Sequence, residues 1–159
     1  MFDLINGIPV HPLVVHAVVV LLPLAVVGVI AIAVRPAWRA RYGWLVVAVA
    51  VIATVLVPVA TSSGGTLEKR VGDPGAHAAL GDQLIWFAIP LLVVALALVL
   101  LARRSARGLA TPGPTWLQSG VAVLAVAAAL ASAVQVYRVG DSGAQAVWGD
   151  QVSSSTSPR

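Results

Sequence analysis

The chain contains no cysteine, and only 10% of its 159 residues are charged. Without cysteine there can be no disulfide, thiolate metal site, iron–sulfur cluster or covalent c-type haem attachment within the chain. A soluble domain is about one quarter charged. Here 59% of the residues are hydrophobic, more apolar surface than so small a water-soluble body can hide. Lipid must solvate much of it. The sequence also lacks a Ser/His/Asp nucleophile arrangement, a phosphate loop and an HExxH run, so nothing marks it as an enzyme. The formal net charge of +4 is not a nucleic-acid signal. The basic residues are not interleaved with aromatics on a polar face, and most sit in two short loops beside apolar runs.

Acid and base are both missing from four long apolar stretches, at about 13–34, 43–60, 84–102 and 117–137. Each approaches the roughly 20 residues that a helix needs to cross hydrocarbon. The runs are continuous, whereas a barrel strand would alternate over about ten residues. The expected fold is therefore all-α: a four-helix transmembrane bundle forming one domain over 1–152, with a polar, disordered tail from Ser153 to Arg159. Loop 35–42 carries Arg35, Arg39 and Arg41. Loop 103–115 carries Arg103, Arg104 and Arg107, and neither loop has an acid. By the positive-inside rule both are cytoplasmic. A multi-pass membrane protein follows, with both termini, all six acids and His11, His16 and His77 on the extracytoplasmic side. Met1 to Val10 has no Lys or Arg and precedes too long an apolar run, so it does not read as a cleavable signal.

Trp38, Tyr42, Trp44 and Trp116 fall at the inner interface, and Trp86 and Tyr137 toward the outer one, where amphipathic rings anchor helices. Pro23, Pro58 and Pro90 lie in or at the end of spans and predict kinks. Ser119, Gly120, Ala122, Ala125, Ala129, Ser132 and Ala133 make the fourth span rich in small residues, which predicts a central packing helix. Gly64-Gly65 and the segment Gly140–Gly143 read as outer turns after helix ends. The halves share a pattern: His11, Pro23, Arg35 and Trp44 in one, His77, Pro90, Arg103 and Trp116 in the other. The first two intervals are 12 and 12 residues against 13 and 13. Two hairpins related by an axis along the membrane normal would show such a pattern.

The histidines carry the candidate chemistry. His11-Pro12 suits a helix start. His16, one turn inside the first span, is expected to face the bundle interior and find a partner. It projects roughly 140° away from His11 on a regular helix, so the two cannot aim at one point. Asp73-Pro74 suits the start of a helix running through His77 into the third span, placing His77 in the headgroup zone. Three readings stand open. The imidazoles cap and cross-link helices, or two of them ligate haem b in the bundle, or they form a zinc or copper site with Glu68, Asp73 or Asp141.

The opening FDLINGIPVHPLVVHAVVVLLPLA, the middle TSSGGTLEKRVGDPGAHAALGDQL and the late RVGDSGAQAVW resemble a bacterial family of small four-helix membrane proteins, domain of unknown function 2231. The resemblance covers nearly the whole chain, and the His-Pro-x-x-x-His opening is its most specific part. It implies four spans and, through relatives joined to cytochrome-like domains, a link to redox chemistry. It also implies recurrent polar positions at His11, His16, His77 and the Gly140-Asp141-Ser142-Gly143 turn. Some relatives have histidine where Asp141 stands, and Asp141 weakens the case for a second haem.

The expected function is a membrane protein binding a cofactor, haem b first, in electron transfer or redox sensing. His16 and His77 would be the axial ligands and His11 a substitute or supporting partner. For a metal the set is His16, His77 and Asp141. The alternatives are a cofactor-free scaffold or accessory subunit of a membrane complex, and a small-molecule transporter. The bilayer, a redox partner or membrane complex, and a second copy are the partners these readings allow.

Overall fold

A computed structural model describes residues 4–5, 8–72, 75–109 and 115–155. A two-residue hairpin opens it: β1 (Leu4–Ile5) pairs antiparallel with β2 (Ile8–Pro9), Leu4 opposite Pro9. Five helices follow: α1 (Val10–Val34), α2 (Pro36–Val71), α3 (Ala76–Gln83), α4 (Ile85–Ala106) and α5 (Thr115–Ser155). α3 and α4 form one span. Leu84 between them keeps a right-handed helical backbone, and its N–H bonds to the Gly81 carbonyl at 3.0 Å, a tight 3₁₀-type turn. Four helical stretches are thus long and apolar enough to cross a membrane.

The helices form a ring. α1 packs against α2 and α5, and α4 packs against the same two from the other side. Leu22, Val29 and Ile32 of α1, Ala53 and Val57 of α2, Leu91 and Leu98 of α4, and Ala125 and Ala129 of α5 are buried at the centre. Residues of the same kinds, such as Val20, Val27, Leu45, Val55 and Val93, face outward. Lipid tails are as apolar as the core, so apolar side chains do not choose a side. Shape decides instead. A β-carbon at Gly28 would lie 2.9 Å from Val46 Cγ2, and one at Gly43 only 2.6 Å from Val99 Cγ2. These glycines let α1 meet α2, and α2 meet α4, at close range. The expectation of a central fourth span is corrected by the same criterion: α5 is the least buried of the four. Ser119 is exposed, and nothing lies within 4 Å of a β-carbon at Gly120.

Polar side chains inside the bundle bind backbone. Ser132 donates to the Phe87 carbonyl of α4 at 3.1 Å, on the turn before Pro90, and also to Ala128 of its own helix. Buried Gln135 donates to the Leu80 carbonyl at 2.9 Å. That carbonyl sits where the tight turn at Leu84 diverts the usual four-residue bond to Gly81. At the other end, Arg39 donates from Nε to the Ile32 carbonyl and from a terminal nitrogen to the Ala33 carbonyl, 2.6 and 2.7 Å. Both carbonyls belong to the last turn of α1, which has no helical partners of its own. Arg35 stands over Trp38, Arg41 over Tyr42 and Arg103 over Trp44, each within about 5 Å of the ring.

Two sequence expectations change here. Gly64-Gly65 lies within α2, and Gly140–Gly143 lies within α5; neither is a turn after a helix end. The expected polar tail begins as helix, since α5 continues to Ser155; 156–159 lie outside the described residues. Asp73-Pro74 also lies outside them, and α3 starts after Gly75.

Candidate functional site

His11 sits in the first turn of α1 and His77 in the first turn of α3. Counted along the helices, His11 is 24 residues from Arg35 and His77 is 26 residues from Arg103. At about 1.5 Å per residue these are roughly 36 and 39 Å, so both imidazoles stand at one end of the bundle and the arginines at the other.

Each imidazole is clasped by the neighbouring long helix, and in the same manner. His11 Nδ1 lies 2.9 Å from the Ala60 carbonyl and 3.4 Å from Ser63 Oγ of α2. His77 Nδ1 lies 3.1 Å from the Val139 carbonyl and 3.3 Å from Ser142 Oγ of α5. Each serine donates its own proton to the same carbonyl, 3.0 Å away. The residue after the serine is glycine in both. A β-carbon at Gly64 would lie 3.0 Å from His11 Cε1, and one at Gly143 3.0 Å from His77 Cε1. The ring therefore rests on the bare helix backbone. Exchanging α1 with α3–α4, and α2 with α5, preserves both the ring order and these two clasps.

The clasp sets the protonation pattern. A carbonyl only accepts, so Nδ1 must carry the proton. The neutral ring then presents a lone pair at Nε2. Such an imidazole, tied at Nδ1 to a carbonyl, is the arrangement in which histidine serves as a metal ligand. It serves equally as a hydrogen-bond acceptor.

Both rings line one cavity of about 500 Å³, within the range of ordinary small-molecule sites. Val15, Val18, Val57, Leu84 and Val136 give it an apolar wall, and Glu68 and Asp82 are the charged side chains among the described residues that line it.

His11 and His77 line the same cavity, and His16 does not. His16 is exposed on the outside of α1, where its Nδ1 bonds to the Pro12 carbonyl of the same helix. Asp141 is exposed too and accepts a bond from Gln145 at 2.9 Å. Neither lines the cavity. Among the described residues no three His, Asp or Glu side chains are grouped to hold a metal ion, so the set His16, His77 and Asp141 does not assemble. A haem fits this site only in part. Two imidazoles on the lining are ligand types that iron takes, but the haem propionates would add negative charge beside Glu68 and Asp82.

Sequence reasoning missed Ser63-Gly64 and Asp82, and singled out Ser142-Gly143 only through the family resemblance, as part of a turn. A faint signal was present: Ala60-x-x-Ser63-Gly64 and Val139-x-x-Ser142-Gly143 repeat a spacing, masked because the glycines suggested turns.

No curated protein and no solved structure matches the chain. A family model does, over residues 7–156, and its description is that of a predicted membrane protein. With four apolar helices long enough to cross a bilayer and a match across almost its full length, the chain belongs to the DUF2231 family of predicted membrane proteins.

Proposed function

We propose that this integral membrane protein binds a small, largely apolar redox molecule between its two helix hairpins, with His11 and His77 as the binding groups. One observation carries the proposal: two imidazoles, identically clasped at Nδ1, share one cavity. By the positive-inside rule, the arginine-bearing loops 35–42 and 103–115 lie in the cytoplasm and the cavity opens on the extracytoplasmic side. Its apolar wall and its depth near the headgroups suit a molecule arriving from the membrane. A transport path is disfavoured. Thr54, Ser132 and Gln135, three of the few polar side chains in the spans, are engaged with backbone carbonyls.

Haem b is the second reading, supported by the two available Nε2 atoms and opposed by the carboxylates. One preparation tests both. Protein purified in mild detergent is scanned in the visible range, oxidised and reduced, and its organic extract is analysed by mass spectrometry. A bound molecule that is absent from the His11→Ala/His77→Ala double variant supports the site. A Soret band lost in that variant identifies haem. Identical extracts from both proteins, or none from either together with no binding of an added small apolar redox molecule, overturn the proposal.

A further inference from the structure

We propose that the cavity recognises a hydroquinone, a flat apolar ring with a phenolic O–H at each end. The inference rests on the two-histidine site proposed above and names its ligand class.

Complementarity carries it. With Nδ1 tied to its carbonyl, each imidazole in its neutral form has a lone pair and no proton at its free nitrogen, and both residues line the cavity. The two charged groups on the lining, Glu68 and Asp82, also accept. A ligand must therefore bring donors, and it must not be anionic. One acceptor comes from each hairpin and the two are equivalent under exchange of the hairpins, so the donors belong at both ends of the ligand. The rest of the lining is mainly valine, alanine and leucine, and the Thr61 hydroxyl on it donates to the Pro58 carbonyl of its own helix. Such surfaces take an unsubstituted or alkylated ring rather than a polar chain. A para-dihydroxy aromatic meets each condition: two strong O–H donors, no charge, an apolar body and solubility in lipid. Its oxidised form, the quinone, carries acceptors where the site also has acceptors. The site should thus prefer the reduced molecule.

The probes are a para-hydroquinone with a decyl tail, the corresponding quinone and the corresponding dimethyl ether. They are titrated under argon against the full-length protein in detergent, with binding read by calorimetry. The hydroquinone is expected to bind at least tenfold tighter than either other probe. His11→Ala and His77→Ala should each weaken it about tenfold, the loss of one neutral hydrogen bond. His11→Gln and His77→Gln retain an acceptor oxygen and should recover part of that loss. His16→Ala should change nothing, and unchanged elution and helical circular dichroism certify the fold of every variant. Equal affinity for all three probes, or indifference to both histidines, overturns the hydroquinone. If hydroquinone fails to displace a co-purified molecule that the double histidine variant loses, the ligand class falls and the two-histidine site stands. If nothing co-purifies and no probe binds, both fall.

Discussion

Gly64 and Gly143 permit a sharp experiment, because each has an internal control one to three residues away. Alanine in place of a helical glycine gains about 1 kcal/mol of helix propensity. Gly65 and Gly140 lie on the same helices, and nothing stands within 4 Å of a β-carbon at either. Gly65→Ala and Gly140→Ala should therefore stabilise the protein by up to about 1 kcal/mol. At Gly64 and Gly143 the new β-carbon would meet the imidazole at 3.0 Å, where ordinary contact starts at 3.4 Å. The ring must withdraw by a few tenths of an ångström. Its Nδ1 bond, 2.9 Å for His11 and 3.1 Å for His77, then stretches toward the limit of useful geometry. A lost or weakened bond of this kind costs about 0.5–1.5 kcal/mol. Gly64→Ala and Gly143→Ala should thus gain nothing, lying about 1 kcal/mol below their controls. Unfolding by sodium dodecyl sulfate titration in mixed micelles measures the four values, and ring-nitrogen NMR reports the Nδ1 proton. Four equal stabilities with unchanged ring signals would refute the clasp.

Three other outcomes follow from the packing. Gly43→Ala should destabilise by about 1–3 kcal/mol, because its β-carbon would lie 2.6 Å from buried Val99; adding Val99→Ala should restore stability in the same titration. Gln135→Leu leaves the Leu80 carbonyl without its side-chain donor and should cost about 1–3 kcal/mol, with faster amide hydrogen exchange around Leu84. His16→Ala removes an exposed ring bonded to its own helix and should alter stability by less than about 0.5 kcal/mol.

The bundle was legible because charge is absent from four runs of sufficient length, a property that needs no knowledge of partners. The histidine end was legible for the same reason, since the arginines gather at the opposite ends of α1 and α4. Which face of each helix points inward was not legible. Valine, leucine and alanine occur on both faces, and lipid accepts them as readily as the core does. His16 shows the consequence. Within a span, a polar group is expected to face inward, yet its own helix supplies a carbonyl at Pro12 and the ring stays outside. Gly64 and Gly143 misled in the opposite direction. Glycine after an apolar run suggests a helix end, but here it makes room for a ring borne by another helix. That contact links positions 53 and 66 residues apart, a separation over which no local pattern extends.

Arg39 ties the end of α1 to the start of α2 through the Ile32 and Ala33 carbonyls. Only Arg35 interrupts the two helices, and two charge-assisted bonds fasten the joint. The second hairpin has a different joint in its third span, the short-pitched turn at Leu84, where the Gln135 amide meets the Leu80 carbonyl. A guest entering the chamber is therefore expected to displace the upper part of the third span, with His77, before the first hairpin, and amide exchange across Ala76–Gln83 would report it.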